Sequence, residues 1–181
     1  MKETTTSECG RPSTKRQFSR LLIRPARTDE ADTVASILKE AAGWLEAKGE
    51  PLWKQNELNP AAIAADAEKK LYWLAFADDE PAGVVRFQLE DSLFWPDEPD
   101  NHAAYVHRLA VKRAFAGGGL SSALLRWASE AAFDKRRQYL RLDTEASRPK
   151  LRKVYEDFGF KFHSHRQVGP YIVARYQLQL F

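Results

Sequence analysis

Three consecutive glycines at positions 117–119 are the feature of this sequence that most clearly indicates chemistry. They follow a short basic stretch with Lys112 and Arg113 and precede a helix-forming segment that begins with Ser121 and Ser122. Glycine lets the backbone approach an anion closely, and the first N–H groups of a helix have no partner within the helix. The positive end of the helix dipole lies behind them. This spacing predicts a binding site for a pyrophosphate, and a flexible glycine turn before an amphipathic helix is the alternative interpretation.

Two nucleotide-binding motifs can be compared with this glycine loop. A P-loop needs a lysine after its last glycine, and Leu120 stands there, so a P-loop is excluded. The dinucleotide motif G-x-G-x-x-G would place a glycine at Ser122, and it follows its strand more closely than the spacing from Val111 to Gly117 allows. Asp143 does match the ribose-binding acid of that motif. A nicotinamide-dinucleotide oxidoreductase is therefore kept as the alternative enzyme.

Longer segments around these glycines resemble a known family. Residues 105–125, YVHRLAVKRAFAGGGLSSALL, resemble the acetyl-CoA motif of the GCN5-related N-acetyltransferases (GNAT), in which a strand ending in LAV leads through a glycine loop into a helix. Residues 139–160, YLRLDTEASRPKLRKVYEDFGF, are similar to the family's next strand and to its helix ending in YE..GF. Residues 21–27 match its usual IRPA segment. The resemblance covers about residues 20–180.

The resemblance implies that acetyl-CoA is the cosubstrate and that backbone groups hold it. We expect the main chain at Leu109 and Val111 to pair with the pantetheine arm. The pyrophosphate is expected on the backbone amides of Gly117, Gly118, Gly119, Leu120, Ser121 and Ser122. Ala116 and Ser121 depart from the family's usual arginine or glutamine and last glycine. Arg148 replaces an asparagine that often faces the cofactor, so we expect a solvent-exposed arginine there, with a phosphate contact as the alternative.

Acetyl transfer to an amine needs a proton donor for the departing thiolate and a donor for the carbonyl oxygen. Tyr155 has the position of the family's tyrosine, and a phenol with an ordinary pKa of about 10 keeps its proton at neutral pH. The alternative is a core tyrosine at helical spacing. The backbone N–H of Leu109 or of its neighbour is the candidate donor to the carbonyl oxygen.

A base must also remove a proton from the amine. His107 is the candidate, because an imidazole group titrates near neutral pH and strand alternation predicts that its side chain shares a face with Leu109 and Val111. A hydrogen-bonded structural histidine is the alternative interpretation. Weaker candidate bases are Glu90, Asp143 and Glu145.

Composition limits the classes of partner. The net charge is +3, but residues 1–27 carry +5, which leaves −2 for residues 28–181. Nucleic-acid-binding domains concentrate positive charge on their folded surface, so we expect no nucleic acid partner. Residues 1–19 are predicted to be a flexible basic arm, and residues 20–181 a single N-acetyltransferase domain.

The single cysteine, Cys9, excludes intramolecular disulfides and cysteine-based zinc sites. It lies in the predicted arm, so we expect direct acetyl transfer without an acyl-enzyme. His163 and His165 lack a third ligand, and we expect no metal. No apolar run approaches the roughly 20 residues of a membrane-spanning helix. We therefore expect a cytoplasmic protein with no membrane partner.

These residues need a scaffold that places them together. Apolar residues recur in the order strand, two helices, three strands, helix, strand, helix, two strands. The early strands are expected to be antiparallel, and a strand–helix–strand crossover follows. We predict an α/β (α+β) domain with a mixed, mostly antiparallel central sheet flanked by helices, the GNAT-type fold that the resemblance implies.

The resulting prediction is an N-acetyltransferase that moves the acetyl group of acetyl-CoA to a primary amine of a small molecule or peptide. A non-catalytic CoA-binding sensor is the alternative of another class, and a homodimer is left open. The aromatic residues expected to shape the acceptor side are Trp44, Trp53, Phe94 and Trp95. Acidic residues that would favour a cationic acceptor, such as a polyamine, an aminoglycoside or a lysine side chain, are Glu90, Asp91, Asp97, Glu98 and Asp100.

Overall fold

A seven-stranded sheet forms the centre of the protein in this computed structural model, which describes residues 16–53, 55–99 and 101–181. The strands are β1 (Leu21–Pro25), β2 (Tyr72–Ala77), β3 (Glu80–Gln88), β4 (Ala103–Val111), β5 (Tyr139–Glu145), β6 (Lys161–Val168) and β7 (Tyr171–Gln179). The helices are α1 (Ala31–Glu46), α2 (Pro60–Glu68), α3 (Leu120–Asp134) and α4 (Pro149–Phe158). The predicted element order is confirmed.

The strands lie in the order β1-β2-β3-β4-β5-β7-β6. Every neighbouring pair is antiparallel except β4 and β5, which are parallel because α3 carries the chain back between them. The predicted mixed, mostly antiparallel sheet flanked by helices is therefore confirmed.

Two apolar cores cover the two faces of the sheet. One face, called here the α1/α2 face, packs against α1 and α2 through residues such as Ile37, Ile63 and Val84. The other, the α3/α4 face, packs against α3 and α4 through residues such as Leu124 and Tyr155. A functional group on β4 can therefore point into one of two separate environments.

Local sequence sets the ends of two helices. The Asn59 side chain accepts a hydrogen bond from the Ala61 N–H at 2.9 Å, and Pro60 occupies the first turn of α2, where its missing N–H costs nothing. Helix α4 ends at Gly159, whose φ of 117° favours glycine. Residue types at these two positions therefore account for both helix boundaries.

A β-bulge interrupts β4 at Arg108, whose φ of 49° lies in the left-handed region. On the neighbouring strand, Arg86 pairs with His107 and Val84 pairs with Ala110. Strand β4 therefore spans one residue more than β3 over this interval, which is what defines a bulge.

The bulge reverses the expected direction of one functional side chain. His107 shares its face with Ala110, which packs in the α1/α2 core, whereas Leu109 and Val111 pack against the α3/α4 core. The prediction that His107 shares a face with Leu109 and Val111 is wrong, because alternation holds only where no extra residue interrupts the strand.

The chain segment just before β1 packs on the domain. Ser19 and Arg20 donate backbone hydrogen bonds to the Asp78 carboxylate, at 3.1 and 2.9 Å, and Phe18 packs against the α3/α4 core. The Arg16 guanidinium lies over the ring of Phe115, just before the glycine loop, and is 4.7 Å from the ring centroid. Arg16, Phe18 and Ser19 belong to the predicted arm 1–19, whose first 15 residues, Cys9 included, lie outside the described part of the chain.

Candidate active site

A cleft opens where β4 and β5 diverge. The two strands pair only from Ala103 to Val106 on β4, so the edge of β4 that faces β5 has no strand partner from His107 to Val111 in the described structure. The cleft that begins there has a volume of about 1230 Å³. A single small-molecule site usually has roughly 300–1,000 Å³, so this cleft has room for two substrates.

The glycine loop lies at one end of this cleft. Gly117 and Gly119 have φ angles of 77° and 85°, which glycine adopts without strain. The Gly118 N–H donates to the Phe115 carbonyl at 3.2 Å, and a Cβ atom on Gly118 would lie 2.9 Å from the Arg16 carbonyl oxygen. Gly118 is therefore explained by packing inside the protein, and its amide is already engaged, contrary to the expectation that it holds a phosphate.

The remaining amides at the start of α3 are available. Within the described residues, no hydrogen-bond partner is found for five backbone N–H groups, those of Gly117, Gly119, Leu120, Ser121 and Ser122. They lie at the positive end of the α3 dipole, and Gly117 and Ser121 line the cleft. This donor set fits a pyrophosphate group.

Leu109 and Val111 also line the cleft, on the free edge of β4. Because no neighbouring strand covers that edge, their main-chain groups are placed where an extended ligand could add to the sheet. The arrangement fits the expected pairing with a pantetheine arm.

His107 lies between two carboxylates on the α1/α2 face. Its Nε2 atom is 2.9 Å from Asp91 Oδ2, and its Nδ1 atom is 3.5 Å from Asp143 Oδ1. The side chains are 14%, 3% and 9% exposed for His107, Asp91 and Asp143. Because these three side chains are buried, electrostatic interactions between them are strong, and a change of charge on one affects the other two.

The same three side chains bring possible metal-ligand atoms within 4.8 Å of one another. However, Asp91 and Asp143 approach opposite nitrogens of the His107 ring, and a single ion can bind only one of those nitrogens. The arrangement favours a hydrogen-bonded array over a chelating site.

The loop that carries Asp91, residues 90–99, is fixed to the sheet by two buried arginines. Arg175 of β7 binds the Asp97 carboxylate at 2.6 and 3.0 Å, and Arg141 of β5 contacts Glu98 at 2.7 Å. Trp95 is stacked by both guanidinium groups, each 4.7 Å from its ring centroid. This network holds Asp91 in place for its contact with His107.

That network also changes the interpretation of the acidic loop. The hydrogen bond from the Arg175 side chain lowers the pKa of Asp97 to about 2. This carboxylate is therefore charged and paired with an arginine of the sheet. Glu98 is likewise paired with Arg141, and Asp91 with His107. Asp97 and Glu98 are therefore engaged by internal arginines rather than free to attract a cationic acceptor. Glu90 is exposed and lines the cleft, and Asp100 lies outside the described residues.

Burial shifts the pKa values of two groups at the centre of the cleft. Desolvation raises the pKa of Asp143 to about 6, although the charge of His107 opposes the shift. Desolvation also raises the pKa of Tyr155, and the negative charge of Asp143 adds to the increase. Tyr155 therefore keeps its proton, and Asp143 is coupled to both His107 and Tyr155.

Residues 33–160 match the acetyltransferase (GNAT) family. This chain belongs to the GNAT family of acetyltransferases. Its curated relative, the uncharacterized N-acetyltransferase YesJ of Bacillus subtilis (strain 168), is 30% identical over 146 residues, which are 76% of this chain and 80% of YesJ. The predicted resemblance is confirmed.

Solved GNAT structures share the fold. An acetyltransferase of Streptococcus agalactiae 2603 superposes with a TM-score of 0.76 at 19% identity, over 90% of this chain and 96% of that one. The acetyltransferase yncA of Salmonella typhimurium, solved with its cofactor acetyl-CoA, gives a TM-score of 0.67 at 16% identity, over 90% and 95%. None of the helices in the part of the chain that the structure describes is long and apolar enough to cross a bilayer.

The bulge separates the candidate catalytic groups of this GNAT domain. Tyr155 is buried on the α3/α4 face, whereas His107 lies on the α1/α2 face, and both side chains reach the cleft between β4 and β5. The structure therefore places a phenol hydroxyl and an imidazole ring on opposite sides of one opening.

One important neighbour was not assigned its role from the sequence. Asp91 was counted only among the acidic loop residues, and nothing local marks it as the partner of a histidine 16 residues later. The sequence offers only a weak indication, an aspartate at the start of a turn. In the structure, Asp91 Oδ1 accepts a hydrogen bond from the Phe94 N–H at 3.1 Å.

Arg148 is not the solvent-exposed arginine that we expect from the sequence. It is 9% exposed, and its guanidinium donates to the carbonyl oxygens of Glu50 and Pro51 and to the Glu145 carboxylate. These acceptors use three of its five N–H donors, and Arg148 lines the cleft, so the alternative of a phosphate contact stays a prediction. Arg148 ties the segment after α1 to the start of α4, and Trp53 of that segment lines the cleft.

The predicted acceptor-side aromatics divide into two groups. Trp44, Trp53 and Phe94 line the cleft. Trp95 is buried between Arg141 and Arg175, so it serves packing of the loop rather than contact with an acceptor.

Proposed function

We propose that this protein is an acetyl-CoA-dependent N-acetyltransferase that transfers the acetyl group directly to a primary amine of a small molecule or peptide. The observation that carries the proposal is one cleft with His107 and Tyr155 on its two sides and, at its glycine-rich end, five backbone amides that have no hydrogen-bond partner among the described residues. Membership of the GNAT family supports the reaction class.

The cosubstrate would lie along the free edge of β4 and reach the start of α3. Bound acetyl-CoA supplies a thioester carbonyl carbon for attack by an amine. The main chain at Leu109 and Val111 would orient its pantetheine arm. The amides of Gly117, Gly119, Leu120, Ser121 and Ser122 would hold its pyrophosphate.

His107 is the proposed base, with Asp91 as the residue that orients it. A carboxylate oxygen can only accept a hydrogen bond, so the Asp91 contact places the ring proton on Nε2 and leaves Nδ1 to receive a proton from the amine. Asp91 also stabilises the imidazolium ion that results.

Tyr155 is the proposed proton donor to the departing sulfur. Its buried hydroxyl stays protonated throughout the pH range in which an amine can be deprotonated by an imidazole, because burial raises its pKa. Direct transfer is favoured since the sequence has no cysteine after Cys9 to form an acyl-enzyme.

The first test is binding of the cosubstrate. A ligand that binds only the folded state at about 100 times its Kd raises the stability by about 2.7 kcal/mol, so acetyl-CoA should raise the melting temperature clearly. NADPH serves as the control. A melting temperature that rises with NADPH but not with millimolar acetyl-CoA would favour the dinucleotide alternative and contradict the proposal.

The second test is turnover. Release of free CoA thiol is followed with a panel of primary amines, including polyamines, aminoglycosides and lysine peptides, against a control without acceptor. Amine-dependent thiol release is the expected result. Binding of acetyl-CoA with no release for any amine in the panel would instead indicate a CoA-binding sensor.

A further inference from the structure

One oxygen of Asp143 has no hydrogen-bond partner. Asp143 Oδ1 is buried and unpaired among the described residues, and the side chain that carries it is 9% exposed and lines the cleft. His107 Nδ1 is 3.5 Å away from this oxygen, too far for a good hydrogen bond. A buried carboxylate oxygen without a donor is costly, so this atom is arranged to receive a donor from a ligand.

His107 Nδ1 needs a donor as well. Because Asp91 accepts from Nε2, the neutral ring presents a lone pair at Nδ1, directly toward Asp143. Two acceptors thus face one another in the cleft. A primary ammonium group satisfies both, since it has three N–H donors and the opposite charge to the carboxylate.

We propose that Asp143 Oδ1 and His107 Nδ1 form the binding site for the acceptor's ammonium group, so that the acceptor enters as a cation, of the alkylammonium class. The inference rests on the proposed acetyltransferase function. It adds a binding role for Asp143 and states the charge of the acceptor that the site selects.

The charges around this position support a cation. The groups that face Asp143 are His107 on β4, Asp91 on the loop 90–99, Arg175 on β7 and Tyr155 on α4. Arg175 is already bound by Asp97, so its positive charge is balanced. Two carboxylates therefore remain beside the histidine, and an ammonium ion is the complementary ligand.

The proton transfer then has a short path. An N–H bond of the ammonium breaks, an Nδ1–H bond of His107 forms, and the electron pair stays on the amine nitrogen. The neutral amine is ready to attack, and the imidazolium lies between Asp91 and Asp143.

The kinetic test compares a charged and an uncharged acceptor in Asp143→Asn. Benzylamine is a cation at neutral pH, and aniline is neutral. We expect kcat/KM for benzylamine to fall about tenfold or more, with aniline changed by no more than about twofold. Asp134→Asn, at the exposed end of α3, is the matched control. Equal losses for both acceptors would overturn the inference while leaving the acetyltransferase proposal intact.

A binding test does not depend on turnover. The ring resonances of His107 are followed by NMR in the full-length protein while methylammonium, and separately methanol, is added. A shift with methylammonium only, lost in Asp143→Asn and kept in Asp134→Asn, is expected. No shift in the wild type, or the same shift with methanol, contradicts the inference, whereas failure of the proposed function would appear as absent acetyl-CoA binding and absent turnover.

Discussion

The Tyr155 hydroxyl is buried on the α3/α4 face, and its proton is retained by desolvation and by the nearby Asp143 charge. If it donates to the leaving sulfur, Tyr155→Phe should lower kcat about 10²-fold while the Kd for acetyl-CoA stays unchanged. Steady-state kinetics and calorimetry measure the two quantities. Tyr139→Phe, away from the cleft, is the control. Full activity in Tyr155→Phe would show that this tyrosine has only a packing role in the core.

The buried Asp143 carboxyl should reduce stability at neutral pH. Its folded pKa of about 6 lies above the ordinary value of 3.8, a difference worth about 3 kcal/mol. The protonated carboxyl carries no desolvation penalty at low pH, and stability is lost as the pH rises from the ordinary pKa of 3.8 to the folded pKa of about 6, above which the loss is constant. Asp143→Asn removes the buried charge, so its melting temperature relative to wild type should increase between pH 5 and pH 8. An equal difference at both pH values would show that the carboxyl is not strained in this way.

At the scale of elements, the glycine loop and α3 act together. Gly119 has a φ of 85° and open space where a Cβ would lie, and Gly49 has a φ of 72° with equally open space. Gly119→Val and Gly49→Val should therefore share a similar backbone strain, about 1–2 kcal/mol. Only Gly119→Val should also weaken acetyl-CoA binding strongly, because the loop amides would be displaced and the side chain would stand near the pyrophosphate. Equal affinities in the two folded variants would place the phosphates elsewhere.

The elements themselves were predictable, and the reasons are local. The apolar periodicity predicts the order of strands and helices, and the residue types at Pro60 and Gly159 are typical of helix ends. The anion site at the glycine loop stays a prediction. The bulge at Arg108 was not predictable, because one extra residue in a strand leaves the apolar pattern almost unchanged. That single residue decides on which face His107 lies.

Contacts between distant segments could not be predicted from the sequence either. Arg148 and its acceptors at Glu50 and Pro51 are nearly 100 residues apart, and the Arg175–Asp97 pair joins β7 to a loop 78 residues earlier. Such pairs depend on the strand order, which brings β7 beside β5. Residue types could be named from the sequence, whereas their partners required the assembled sheet.

At the scale of the whole molecule, the segment 16–20 links the amino-terminal part of the chain to the glycine loop. Ser19 and Arg20 are bound by the Asp78 carboxylate, and the Arg16 carbonyl oxygen lies against Gly118. This segment therefore packs as part of the folded domain, which begins at or before residue 16 rather than at residue 20. It also supports the loop that is proposed to hold the pyrophosphate.

Two truncations test this boundary. Removal of residues 1–15 keeps every described contact of the segment 16–20, so we expect the melting temperature and the Kd for acetyl-CoA to stay within error. Removal of residues 1–20 eliminates the hydrogen bonds to Asp78 and the packing of Phe18, a loss of about 2 kcal/mol that should lower the melting temperature by about 4–8 °C. Because the Arg16 backbone then no longer packs against Gly118, acetyl-CoA should also bind more weakly.

Gly118→Ala in the full chain supplies the independent check, since its Cβ would lie 2.9 Å from the Arg16 carbonyl oxygen and should displace the same segment. Identical behaviour of the two truncated proteins would return the boundary to residues 19–20.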